Sequence, residues 1–212
     1  MMFGKLAEIS IIKTLRFNLH YFGIHGFKLP VLVSRNFVLL RMGGDCSIDN
    51  FKSGAIRLGF SGVGIFDKRY DRGIWECDGK VQFRGKASLG QGVKVSVGAD
   101  GSLIVGDNFR VTAKSEIVCF DNIEIGDNVL VSWDSIIMDT DFHQLDDGPR
   151  TSPITIEDSV WIGMRSAILK GVNIPLGSVV AAGSTVTKTF DDERCLYGGV
   201  NRILKHNISW EL

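Results

Sequence analysis

The chain has 212 residues, 44% of them hydrophobic and 23% charged, with 24 basic side chains balanced by 24 acidic ones. This is a globular profile with room for a core, and its charge balance argues against nucleic acid or an anionic membrane as the principal partner. Twenty-five glycines against four prolines point to many corners with positive φ rather than to a Pro-rich disordered segment. Cys46, Cys77, Cys119 and Cys195 are widely spaced and form no CxxC pair, so they read as buried structural residues, with neither a disulfide framework nor a metal site expected. No apolar run reaches the roughly 18 residues of a membrane span, and no signal-peptide pattern opens the chain. The expected location is the cytoplasm.

Residues 1–55 are expected to form an irregular cap. Leu6, Ile9, Ile12, Lys13 and Arg16 allow a short amphipathic helix, and Phe17, Tyr21, Phe22 and Phe27 make the next segment aromatic. Such a segment shields the open first coil of a solenoid, or rests on a membrane or a lipid-linked substrate. The scarcity of positive charge favours the cap. From Pro30, LPVLVSRNFVLLR reads as extended strands leading into the solenoid. Residues 48–74 carry a loose pattern with a loop at Asp67–Gly73.

From Val81 a period of six appears. Val81, Ala87, Val93, Ala99, Val105, Val111 and Ile117 are evenly spaced, two residues are inserted near Asp121–Asn122, and Ile125, Val131 and Ile137 resume the count. Residues 139–153 are polar and contain Gly148, Pro149 and Pro153, which reads as a loop thrown out from the repeat. The count then runs unbroken through Ile156, Ile162, Ile168, Ile174, Val180 and Val186. Six fits neither a helix nor a two-faced strand. It fits a chain that runs straight, turns a corner and repeats, so that three sides close a triangular coil.

The domain reading is therefore a β-helix over 56–189 with a short tail at 190–212. The aliphatic residue opening each hexapeptide should point inward, each worth roughly 1.5–3 kcal/mol when buried. Ala87 and Ala99 would contribute less, which makes 81–104 the expected weak region. Gly106, Gly126, Asn128, Gly163 and Gly183 suit corners, and Asp107, Asp127, Glu157 and Asp158 are expected to face solvent.

The IGDN at 125–128, VWIG at 160–163, ILKGV at 168–172 and AAGSTVTK at 181–188 resemble the hexapeptide-repeat acyltransferases of the left-handed β-helix superfamily. With DTDFH and PITIEDSVWIG, they look like the bacterial sugar O-acetyltransferases, over about residues 81–205. The resemblance implies an all-β left-handed parallel β-helix and transfer of an acetyl group from acetyl-CoA to a carbohydrate hydroxyl, in surface or capsular polysaccharide synthesis. It also implies a homotrimer with active sites between subunits.

The resemblance assigns His143 as the general base, although the family's proline after it is Gln144 here. Histidine suits the role because its unperturbed pKa of about 6.5 leaves it largely neutral at cellular pH. Trp161, Gly163 and Ala182 would line the pantetheine path, with Gly163 allowing close backbone approach. Thr187, Lys188 and Lys205 would meet the adenosine and phosphate end. Met164 and Pro175 depart from the pattern; Pro175 removes an N–H and should be tolerated.

Asp141 either orients the His143 ring or binds a sugar hydroxyl, or is a solvated loop residue, and Asp139 has the weaker claim. Trp133 either stacks on a sugar or packs. Thr112, with Ser115 close by, stands where the family has an asparagine near the acceptor. Carbonic anhydrases of the same fold need three zinc-bound histidines. His20, His25 and His206 lie outside the regular coils, so zinc chemistry is not expected. The competing functions are N-acyl transfer to an amino-sugar nucleotide and, of another class, a non-catalytic scaffold, which His143 and the intact AAGSTVTK oppose.

Overall fold

A chain that pairs with itself in parallel at a fixed short separation must return to the same side after each circuit. The computed structural model, which describes residues 8–60, 63–67 and 69–211, shows this return directly. Ile156 pairs with Ile174, Ile162 with Val180 and Ile168 with Val186, each eighteen residues on. These six positions are buried and stack in two successive coils, as their spacing requires. Every third strand is a neighbour, giving three sheets of nine, seven and six strands. Among the described residues, the strands of these sheets pair in parallel except for the last pair, Leu196–Gly198 with Arg202–Lys205. The architecture is a left-handed parallel β-helix.

The six-residue count holds from Val105, since Val105, Val111 and Ile117 are buried and pair with Ile125, Val131 and Ile137, but it breaks at Ala99 and does not describe the earlier coils. Val81 pairs with Leu103 and Leu103 with Ile123, so these coils take 22 and 20 residues. Their strands are four or five residues long and point two side chains inward, as Val81 and Phe83 or Val95 and Val97 do. Phe83, Leu89, Leu103 and Phe109 are buried here beside Ala87, so these coils bury larger side chains than the one-residue count includes. Ala99 lies in the exposed turn Gly98–Gly101 rather than in the core. Parallel stacking also begins before residue 56. Val31–Val33, Phe37–Met42 and Asp45–Ile48 pair with Ile56–Leu58, Gly73–Cys77 and Lys80–Phe83. The expected cap over 1–55 therefore includes a full coil.

Among the described residues, what precedes that coil is the helix α1 (Ile11–Phe22), followed by a 3₁₀ segment at Gly23–Lys28. Leu6 lies outside the described residues, as does Lys68 of the Asp67–Gly73 loop. Ser10 caps α1 by accepting from the Lys13 N–H. Two buried polar side chains dock the helix onto the exposed edge of the first strand. Asn18 accepts from the Val31 N–H at 3.1 Å and donates to its carbonyl at 2.7 Å, while the Thr14 hydroxyl accepts from the Val33 N–H at 3.0 Å. Side chains thus complete a strand edge that would otherwise lack partners. Phe17 is fully buried with its ring 5.2 Å from that of Trp75, whose Nε1–H donates to the Tyr21 hydroxyl. Burial raises the Tyr21 pKa well above its ordinary value, so the hydroxyl stays neutral.

At the opposite end, Asn173–Ile174 is the last strand of the six-stranded sheet. Pro175 follows it, just past the end of that sheet's ladder, a position that tolerates the missing N–H. Among the described residues, no helix is long and apolar enough to cross a membrane.

The packing of Phe17 against Trp75 can be tested by truncation. Phe17→Ala should lower unfolding free energy by about 3–5 kcal/mol, read from urea titrations. A loss below about 1 kcal/mol would show that α1 is not coupled to the core.

Candidate active site

Each corner of the prism has to pair main-chain groups that the flat sides leave over, and the side chains that do so define the site. At the corner between the nine- and seven-stranded sheets, Lys114, Asp134, Arg165 and Gly183 adopt positive φ on successive coils. The residue after each is a buried serine. Ser115 donates to the Ser132 carbonyl at 2.8 Å, Ser135 to the Gly163 carbonyl at 3.0 Å and Ser166 to the Ala181 carbonyl at 3.1 Å, each reaching one coil further. Trp133, Met164 and Ala182 occupy equivalent places in this column. The Arg165 N–H donates to the Trp133 carbonyl, and the Gly183 N–H to that of Met164.

Gly163 is demanded by this stacking. A Cβ there would lie 2.6 Å from the Ala182 nitrogen and 2.7 Å from the Val180 oxygen. The close approach it permits within the chain is thus to the next coil's backbone, a structural reason beside the cofactor role that the resemblance implies. Trp161 lies on the neighbouring outer face, 37% exposed. Its Nε1–H donates to the Ser132 hydroxyl, and Trp210 of the tail sits 5.9 Å away, ring to ring. The C-terminal tail therefore folds back onto the β-helix beside Trp161, a contact with no trace in the periodicity.

The loop 139–153 leaves from the next corner, between the seven- and six-stranded sheets. It makes the circuit from Ile125 to Ile156 thirteen residues longer than the eighteen-residue coils that follow. Its base is closed by an antiparallel bridge between Thr140 and Thr151, with the Asp141 N–H donating to the Arg150 carbonyl and the Ser152 N–H to that of Asp139.

Asp139 lies beneath the loop, fully buried. Its two carboxylate oxygens accept from the Phe120 N–H at 2.7 Å and the Asp121 N–H at 2.9 Å, on the preceding coil. Burial raises its pKa, and the two N–H donors work against that rise. Asp139 is therefore the loop's anchor rather than a partner of the histidine.

Asp141 is engaged with Lys170, 2.6 Å from its ammonium, and the same ammonium donates to the Pro149 carbonyl. Neither aspartate is bonded to His143. Lys170, absent from the sequence-derived set, ties both strands of the loop neck to the following coil. It follows Leu169 in the register column of Met138 and Asp139, and that column is the signal that locates it. Above the neck, Phe142 has positive φ and packs edge-on against Phe120 at 5.0 Å. His143 is exposed beyond it.

Thr187 and Lys188 lie one coil below Leu169 and Lys170, at the same corner as the loop. Thr187 is engaged by Asn201, whose amide accepts from its N–H and donates to its hydroxyl. Lys205 is exposed on the outermost, antiparallel strand. The predicted residues thus fall into two groups across the outer face of the seven-stranded sheet. Trp133, Gly163 and Ala182 are at one edge, while Asp141, His143, Thr187 and Lys188 are at the other. Trp161 and Lys205 belong to the adjoining nine-stranded sheet. The Thr112 hydroxyl is buried with no partner among the described residues.

No protein-family profile matches the chain. An uncharacterized 24.8 kDa protein in the cps region of Klebsiella pneumoniae is 34% identical over 137 residues, covering 63% of this chain and 61% of that protein. The galactoside O-acetyltransferase of Escherichia coli is 40% identical over 89 residues, covering 40% and 44%. A probable acetyltransferase of Mycobacterium tuberculosis is 31% identical over 121 residues, covering 53% and 40%. The chain thus spans between 40% and 61% of the length of these relatives. Among solved structures, that of the polySia-specific acetyltransferase NeuO superposes with a TM-score of 0.58 at 23% identity, covering 86% of this chain and 72% of that one. The expected likeness to acetyltransferases is therefore found in sequence, and the fold is shared with NeuO.

The anchoring role of Asp139 has a pH signature. A raised folded-state pKa means the native state holds the proton more tightly, so this group favours folding most below the ordinary carboxylate range. That contribution is lost as pH rises through the folded value. Asp139→Asn should remove this term, flattening the fall of Tm with pH above about pH 4 relative to the unmodified chain. Asp139→Ala, which strands two N–H groups, should cost about 2–4 kcal/mol in denaturant titrations. Superimposable Tm profiles for the Asn variant and the unmodified protein would refute the assignment.

Proposed function

We propose that this chain is an acyltransferase that moves an acetyl group from acetyl-CoA to a carbohydrate hydroxyl, with His143 as general base. The carrying observation is the placement of His143. It is an exposed imidazole on a loop whose base is fixed by Asp139 and Lys170, at one edge of the sheet whose other edge carries Trp133, Gly163 and Ala182. A rigid base with an exposed tip holds a proton acceptor in place while leaving room for two substrates. The sequence similarity to acetyltransferases supports the same reading.

The chemistry balances as a direct transfer. The neutral imidazole takes the proton of the acceptor hydroxyl as its oxygen attacks the thioester carbonyl. The C–S bond breaks as the tetrahedral species collapses, and the leaving thiolate takes the proton back from the imidazolium. Acetyl-CoA is a co-substrate here. The exposed Trp161 ring and the Gly163–Ala182 corner offer an apolar path for its pantetheine, and Thr187, Lys188 and Lys205 suit its polar end. Asp141 and Trp133 are assigned to the acceptor side. Because Asp141 is already paired with Lys170, it would meet a sugar hydroxyl as one member of an ion pair.

The outer face of the seven-stranded sheet between the two groups is apolar at Ile136, Met138, Ala167 and Leu169, and all four are only partly buried. That face favours a homotrimer in which a neighbouring copy completes the groove. Four free, buried cysteines fit a reducing cytoplasm. A surface or capsular polysaccharide, or its precursor, is the acceptor class, a reading supported by the likeness to a galactoside O-acetyltransferase and to a protein of a cps region.

CoA release can be followed with a thiol reagent across a panel of sugars, amino-sugar nucleotides and polysaccharides. His143→Ala should lose about 10²-fold or more in turnover while acetyl-CoA affinity by calorimetry holds. Retained turnover would remove His143 as base. Release with amino-sugar nucleotides alone would move the reaction to N-acyl transfer, and an absence of acetyl-CoA binding would leave a scaffold.

A further inference from the structure

We propose that Asp192, Cys195 and His206 form a zinc site that fastens the C-terminal tail across the end of the β-helix. One ligand atom from each residue, a carboxylate oxygen, Sγ and a ring nitrogen, lies within 4.8 Å of the others. The Cys195 Sγ and His206 Nδ1 are 3.2 Å apart. A tetrahedral zinc with ordinary Zn–S and Zn–N bonds separates its sulfur and nitrogen by about 3.6 Å, so an outward shift of a few tenths of an ångström admits the ion. Thiolate, imidazole and carboxylate all belong to the zinc ligand set, and the fourth position is left to water.

The three residues are held from both sides. Leu196 is opposite Lys205 in the terminal hairpin, so Cys195 and His206 are the next cross-strand neighbours. The turn that carries Asp192 is pinned by the Tyr197 hydroxyl, which donates to the Asp192 carbonyl, and by the Arg194 N–H, which donates to that of Leu176. The Ile208 N–H in turn donates to the Arg194 carbonyl, tying the segment after His206 to the same turn. Cys195 is buried at 1% exposure, whereas Asp192 and His206 are exposed, which gives the ion a path from solvent to the sulfur.

The site has a structural purpose. Tyr197 and Phe190 stack at 3.7 Å, ring planes 7° apart, over the end of the last coil. The strand Arg202–Lys205 lies at the edge of the nine-stranded sheet, and the segment after it returns along the prism, where the Trp210 Nε1–H donates to the Ser159 carbonyl. A solenoid needs its open end closed, and a metal joining the turn before the hairpin to the residue after it closes both together. Binding proceeds with loss of the Cys195 thiol proton to solvent, coordination through Nδ1 of neutral His206, and one carboxylate oxygen from Asp192. The ion has no part in acyl transfer. It lies in the tail, whereas the loop bearing His143 leaves the prism two circuits earlier.

The test uses the full chain, stripped of metal with a chelator and titrated with Zn²⁺ against a chromophoric competitor, then with Co²⁺. One Zn²⁺ per chain is expected, with submicromolar affinity, a thiolate-to-Co²⁺ charge-transfer band and a rise in Tm on zinc addition. His206→Ala alters an exposed residue and should leave the fold intact. It should weaken zinc binding by at least about 10²-fold and abolish the Tm rise. Cys195→Ser should abolish the charge-transfer band. Substoichiometric binding to the unmodified chain, or equal affinity in His206→Ala, would overturn the site and leave a plain S–H···N hydrogen bond. None of these readouts depends on acetyl transfer, so their outcome is separate from that of the proposed activity.

Discussion

Every circuit of the prism turns three corners, and at each one main-chain N–H and C=O groups emerge that the flat sides cannot pair. An orphaned group of this kind costs about 1–3 kcal/mol when buried, so the inward stack of Val and Ile can form only where the corners are satisfied. This chain answers with two columns of short polar side chains. Ser115, Ser135 and Ser166 bond forward to carbonyls of the next coil. At another corner the Asp127 carboxylate accepts from the Asp107 N–H at 2.6 Å, and Asp158 from the Asp127 N–H at 2.7 Å. These aspartates face solvent, as expected of charged corner residues, and they serve at the same time as inter-coil caps; the left-handed Asn108, Asn128 and Ser159 beside them complete the turns.

The candidate site is an elaboration of the same device. Asp139 caps the N–H groups of Phe120 and Asp121 on the preceding coil as Asp127 and Asp158 do at their corner, but thirteen additional residues are inserted after it. The loop therefore starts from a point as fixed as any corner of the prism. Lys170 holds its two strands from below, and the Phe120–Phe142 contact steadies it from the side. Rigid support under an exposed histidine gives positioning, and it comes from residues that need not touch a substrate.

The two ends of the solenoid face a related difficulty, since a terminal coil has an unpaired edge and an open interior. At the N-terminus, Asn18 and Thr14 stand in for a missing strand and Phe17 closes the interior over Trp75. At the C-terminus, Tyr197 and Phe190 close the interior, and the hairpin with its Asp192–Cys195–His206 cluster lies at the edge of the nine-stranded sheet. Because each coil touches mainly its neighbours, stability is close to a sum of local terms, and the ends carry a disproportionate share of the risk of fraying.

The sequence by itself determined the fold wherever one buried residue per side sets the period. Ile156 to Val186 could be counted, and the pairs eighteen residues apart are those the count demands. It also marked the loop, because a polar Pro- and Gly-containing segment cannot continue a packed side, and it marked His143 through resemblance. The count was misleading up to Ala99, which is a turn residue, because coils with two inward residues per strand can imitate a six-residue register over short stretches, whereas Val105, Val111 and Ile117 stack as counted. Only the tertiary structure decided the roles of the polar residues. Whether Asp139, Asp141 or Lys170 faces a ligand or a neighbouring coil depends on partners about twenty to thirty positions away, and a one-dimensional pattern of hydrophobicity carries no record of those pairings.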